Sequence, residues 1–191
     1  MKSKGLYELA KIYQNNGRKP INFDFKNAYS PLEDVNSNNN INHHYIHFYP
    51  GRIYPYIPRY ILSLPELQTM DGVLLDPFAG SGTILLEALI NPYVQRESWG
   101  IEINPIGRLI SKVKITVFDI SLVPEYMKEL HKIYHSKSMN TQEFIPIYDN
   151  INIWFSQDAI NKLAKLRYAI QNLKIEKDVK DFFWLCFSGI I

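Results

Sequence analysis

The chain of 191 residues has a single cysteine, Cys186. One thiol makes no internal disulfide, so the fold is expected to rest on packing alone, in a reducing, cytoplasmic setting. There is no run of about 18 apolar residues, the length that spans a bilayer, and no apolar segment follows the charges of Lys2 and Lys4. Membrane insertion and secretion are not expected. Neither sign of charge dominates. A net charge of +2 and an isoelectric point near 8.5 permit a nucleic-acid partner without demanding one, since a basic footprint begins at a pI of about 9. What is present is ordinary for a folded protein. The 46% hydrophobic and 21% charged content suits one domain with a sizeable core, or one domain plus a small extension.

The most informative stretch is Val73 to Ile90. Val73-Leu74-Leu75-Asp76 is an apolar run that reads as a buried strand, and Pro77-Phe78-Ala79-Gly80-Ser81-Gly82 follows with two glycines that let the backbone turn sharply. Thr83 to Ile90 then begins a helix with apolar periodicity, ended by Asn91-Pro92. Strand, glycine loop and helix make a nucleotide-cofactor turn, in which helix N-terminal amides face the ligand. A third glycine is missing, because Leu85 stands where GxGxxG requires one, and no GK[ST] follows. Dinucleotide-dependent dehydrogenase and P-loop readings therefore fall away.

Glu102, in Trp99-Gly100-Ile101-Glu102-Ile103-Asn104-Pro105, lies about 20 residues beyond Gly82, the interval that one helix and one return strand occupy. A carboxylate there can accept hydrogen bonds from ribose hydroxyls. The second strand is expected over Trp99 to Ile103, followed by a helix carrying Ile106, Leu109, Ile110, Val113 and Val117. Two strand-to-helix units predict a parallel α/β sheet.

Around this core the pattern changes. Leu6, Leu9, Ala10 and Tyr13 predict a short helix over 5–14, and the Asn-rich tract 36–42 a flexible joint, so residues 1–42 form an accessory arm. His43, His44 and His47 have no cysteine or carboxylate at ligand spacing, which disfavours zinc. The aromatics between Tyr45 and Tyr60 either line a pocket or fill a core, and Pro58 is placed to start a helix running toward Pro65. Ser121 is expected to cap a helix with Pro124 in its first turn, and residues 135–150 to form a loop. Ser156 should cap another helix with the stripe Ile160, Leu163, Leu166, Ile170 and Leu173, leaving Lys162, Lys165 and Arg167 on a face that is either solvated or in contact with phosphate. The segment Phe182 to Ile191 is nearly all apolar and too short for a membrane, so it is expected to be buried. Such an end implies either that the natural chain continues or that a partner covers it.

Asp76-Pro77-Phe78-Ala79-Gly80-Ser81-Gly82-Thr83 resembles the DPFxGSGT motif of S-adenosylmethionine-dependent amino-methyltransferases, chiefly the DNA adenine-N6 and cytosine-N4 enzymes. Gly100 to Pro105 resembles their second motif, and His47 to Arg52 the HxYPxK segment that precedes the first, with Arg52 in place of Lys. The resemblance implies a Rossmann-like methyltransferase fold of the α/β class with an incomplete sheet, a cofactor-binding core over 43–120 and a helical segment over 121–191. It implies that S-adenosyl-L-methionine is the cofactor, that Asp76 to Thr83 hold its methionine part, and that Tyr49 and Pro50 close that end. Glu102 would bind the ribose, with Ile103 and Asn104 beside the adenine. Asp119 reads equally as a contact to the adenine amine and as a turn residue before the next helix. DNA is the implied partner, in restriction and modification. The family's [DNS]PP[YFW] element, which holds the flipped target base, is missing, because no two prolines are adjacent. The chain is therefore expected to be inactive alone, with unknown catalytic residues supplied by further sequence or by a second polypeptide. An RNA guanine-N2 methyltransferase, whose first motif can read the same with an acid like Glu87, and a non-catalytic partner subunit are the alternatives.

Overall fold

A computed structural model describes residues 43–191 except 92, 93 and 138, together with Lys11, Gln14, Asn15 and Gly17. The helix expected over 5–14 and the joint at 36–42 fall outside this set, isolated positions aside. The chain divides into two compact units, Met1–Ile115 and Thr116–Ile191.

In the first unit, helix α1 (Tyr56–Leu62) begins two residues before the expected Pro58. The helix tolerates Pro58 because amides of a first turn have no intrahelical acceptor, so the missing N–H costs nothing. Arg59 N then makes the first helical bond, to Pro55 O at 3.2 Å. The short α2 (Pro65–Gln68) follows. Strand β1 (Leu74–Asp76) leads through the glycine loop into α3 (Thr83–Ile90), and β2 (Ser98–Gly100) leads into α4 (Pro105–Ile115).

The two strands are parallel, with Leu74 opposite Ser98, Leu75 opposite Trp99 and Asp76 opposite Gly100. Parallel pairing puts both C-terminal ends, and so both loops, at one edge. One face is covered by α3, whose Leu85 lies so close to Gly100 that a β-carbon there would sit 2.6 Å from Leu85 Cδ1. The other face departs from expectation. Val73, Leu75, Trp99 and Ile101 are each more than half exposed, so β1 is buried on one side only. The second strand also stops at Gly100, short of the expected Ile103, which leaves Glu102 in a loop. The core of this unit is Tyr60, Leu64, Leu85, Leu86, Ala88, Ile110 and Val113.

The second unit is helical. A 3-10 turn (Ile120–Leu122) precedes α5 (Val123–Tyr134). Ser121 does not cap α5. Asp119 accepts from Ser121 N at 2.9 Å and caps the turn, while Pro124 occupies the first turn of α5. After a second 3-10 turn (Gln142–Phe144) come α6 (Ile151–Trp154), α7 (Gln157–Asn172) and α8 (Lys177–Ser188). Ser156 caps α7 through Ala159 N at 3.2 Å.

The core joins Leu130 of α5, Ala169, Ile170 and Leu173 at the end of α7, and Val179, Phe183 and Phe187 of α8. The apolar C-terminal segment is not buried whole. Phe183 and Phe187, four apart on one face of α8, turn into the core and Leu185 is also buried, while Cys186 and, past the helix end, Ile190 and Ile191 are exposed. The described architecture is thus mostly helical with a two-stranded parallel sheet. No helix among the described residues is long and apolar enough to cross a membrane.

Candidate functional site

The site is built at the C-terminal edge of the two strands. Asp76, only 6% exposed, ends β1 and accepts from Phe78 N at 3.1 Å, which fixes the turn into the loop. Gly80 and Gly82 then take left-handed φ values of 51° and 72°, a conformation that favours glycine. Gly82 has a second reason to lack a side chain: a β-carbon there would lie 2.9 Å from Ser111 Cα on α4. The hydroxyls of Ser81 and Thr83 are buried and have no hydrogen-bond partner. Buried polar atoms are nearly always paired, so these two hydroxyls on one loop are able to receive the polar groups of a ligand or a water.

These residues line a cleft of about 230 Å³ whose walls include Tyr49, Arg52, Asp76, Phe78, Gly80, Ser81 and Thr83. Ala79 also lines it. Pro50 and Pro77 are exposed beside the cleft rather than in its wall. Glu102 is half-buried in the loop after β2, where Oε1 accepts from Asn104 N at 2.7 Å. Asn104 in turn accepts from Ile106 N at 2.9 Å and starts α4, while Ile103 is 95% exposed.

Gly107, in the first turn of α4, ties the two loops together. A β-carbon there would meet Tyr49 Oη at 2.9 Å, Glu102 Cγ at 3.0 Å and Gly80 O at 3.0 Å. The sequence-predicted residues Tyr49, Gly80 and Glu102 therefore converge on one point. Phe78 and Ile103 present open apolar surface, and Ile103 does not line the cleft.

Sequence reasoning missed the charged groups behind the loop. Lys114 is buried and donates from Nζ to the Ser81 carbonyl. Burial, aided by the Arg52 charge, pushes its pKa down to about 8. Glu87 of α3 is fully buried, accepting from Arg59 Nε and Nη2 at 2.8 Å each and meeting His44 Nε2 at 2.7 Å. A neutral His44 with its proton on Nε2 satisfies that contact and leaves Nδ1, buried without a partner, as a bare acceptor. Desolvation by burial holds the His44 pKa below its usual value, the bond and charge of Glu87 pull upward, and Lys114 and Arg59 add to the depression.

Arg52 donates to the His44 carbonyl at 2.6 Å and lies over the Tyr45 ring at 4.4 Å. The segment carrying Tyr49 and Arg52 is thus clamped to α3 at His44 and Arg59. Residue type alone carried no sign of this, since Glu87 sits in an apolar helix and its partners lie 28 and 43 positions away. Of the three clustered histidines, His44 is the buried one, and no group of three metal-ligating side chains exists among the described residues.

Compared with known proteins, the chain is 31% identical over 169 residues to the type II methyltransferase M.MvaI of Kocuria varians, covering 82% of this chain and 35% of that protein. It is 30% identical over 129 residues to the type II methyltransferase M.MjaII of Methanocaldococcus jannaschii, covering 64% of this chain and 23% of the relative. No family model matches the chain, and no solved structure matches it significantly. The chain is a distant homologue of type II methyltransferases that spans about a third or less of the length of the curated relatives it matches.

Proposed function

We propose that this chain is the S-adenosylmethionine-binding part of a DNA methyltransferase of restriction and modification, one that methylates adenine N6 or cytosine N4. The observation that carries the reading is the cleft itself: a left-handed glycine turn whose buried Ser81 and Thr83 hydroxyls have no protein partner, next to Tyr49 and Glu102. The residues fit the cofactor's parts. Ser81 and Thr83 offer hydroxyls to the polar end of a methionine, and Asp76 and Arg52 place one charge of each sign in the wall, as a zwitterion requires. Glu102 keeps an oxygen beyond the one that Asn104 N occupies, available to a ribose hydroxyl. Ile103 and Asn104 stand beside it for the adenine, and Pro50, Pro77, Phe78, Ala79, Gly80 and Gly82 shape the loop.

S-adenosylmethionine supplies a methyl group on a sulfonium, and the protein's contribution is to hold that group in line with an exocyclic amine. These residues bind and orient; the target base is met by polypeptide beyond them, since no two prolines are adjacent to form [DNS]PP[YFW]. The core over 43–120 carries the cofactor and 121–191 a helical extension, in a Rossmann-like arrangement.

Isothermal calorimetry tests the reading. The chain is expected to bind S-adenosylmethionine, and Glu102→Ala to weaken it by about ten-fold, the loss of about 1.4 kcal/mol from a charged hydrogen bond. Gly80→Trp, which fills the cleft, should abolish binding. Unchanged affinity in both variants would overturn the site, and methylation of DNA by the 191-residue chain alone would overturn the division of labour.

A further inference from the structure

The second unit holds a cleft of about 650 Å³, larger than the 230 Å³ glycine-loop cleft, between the end of α5 and the start of α7. Sequence reading leaves Lys162 and Lys165 between a solvated face and a phosphate contact. Folding brings Lys137, from the segment after α5, to the same cleft, with His135, Thr141 and Asn161.

Residues 116–191 as a whole carry nine Lys or Arg and nine Asp or Glu, yet three lysines and one acid line this cleft. The acid, Asp158, is bound to Lys162 at 2.7 Å. The cleft is therefore a local excess of positive charge on a unit that is neutral overall. The first turns of α7 add the partial positive charge of a helix start. Hydroxyl and amide side chains among the lysines supply hydrogen bonds of the kind made to phosphate oxygens.

We infer that this cleft is a contact surface for the sugar–phosphate backbone of DNA. The inference rests on the reading of the chain as part of a DNA methyltransferase. The lysines act as exposed point charges, so the contact positions the duplex without reading its sequence. Asp158 limits the attraction by holding Lys162.

Fluorescence anisotropy of the whole chain with a labelled DNA duplex, between about 50 and 200 mM salt, tests this. Affinity is expected to fall with salt, and the double variant Lys137→Gln, Lys165→Gln to flatten the log–log slope by about two, one for each lysine. Asp158→Asn should tighten binding. The control pair Lys174→Gln, Lys177→Gln, which lies outside the cleft, should leave the slope unchanged. All four lysines are exposed, so these variants leave the core intact. An unchanged slope in the cleft variant, an equal change in the control, a preference for RNA of the same sequence, or no DNA binding by the parent chain would overturn the inference. Cofactor calorimetry on the same preparations separates the two failures. Lost DNA contact with intact S-adenosylmethionine binding removes only this surface, whereas absent cofactor binding removes the reading beneath it.

Discussion

Glu87 has no exposed surface and neutralises Arg59 through two 2.8 Å bonds while meeting a neutral His44. Glu87→Gln keeps the shape but removes the charge that faces Arg59, and breaking a buried ion pair costs about 3–5 kcal/mol. A urea titration should show the midpoint fall accordingly. His44 makes a different prediction. Its folded pKa lies below the ordinary 6.5, so the unfolded chain takes up a proton first as the solution is acidified. Its contribution is present above about pH 6.5 and is lost as pH falls below that value. Melting temperatures measured between about pH 7.5 and 5.5 should decline, and His44→Gln should flatten the part of that slope due to this ring. The sequence draws attention to both residues, but not to their pairing. A glutamate in an apolar helix has no partner nearby in the chain, and only the fold brings it partners from 28 and 43 positions away.

Elements differ in how much of their setting is local. The cap of α7 was legible because Ser156 needs only Ala159, three residues on. Ser156→Ala should therefore cost about 1 kcal/mol, read from chemical unfolding. The span of α3 was equally plain, with a glycine in the left-handed region before it and Asn91 after it. Strand β1 was not. An apolar run states that a strand is apolar, whereas its burial depends on what lies over each face. Leu75 is 59% exposed, so Leu75→Thr should alter stability by less than about 0.5 kcal/mol, as surface changes do. A strand buried on both faces would instead lose about 2–5 kcal/mol when a leucine is cut back. The same titration distinguishes these outcomes.

On the scale of the molecule, the order of three motifs along the chain was enough to point to a methyl-transfer cofactor, because each motif is a short stretch whose spacing is set by one helix and one strand. The convergence of Tyr49, Gly80 and Glu102 on Gly107 could not be read that way. Nor could the gathering of Lys137 with Lys162 and Lys165, which needs α5 and α7 folded back on each other. The open face of the sheet belongs to this scale too, since sheets of parallel strands are ordinarily covered on both sides. It carries Trp99, which is 62% exposed, paired across the sheet with Leu75 and tethered by its indole N–H to Glu97 at 2.7 Å. An indole in water emits at longer wavelength than one in an apolar setting. The chain therefore contains its own optical gauge: in a Trp154→Phe background, which removes the other strongly exposed indole, whatever comes to lie over the sheet should shift the emission toward the blue.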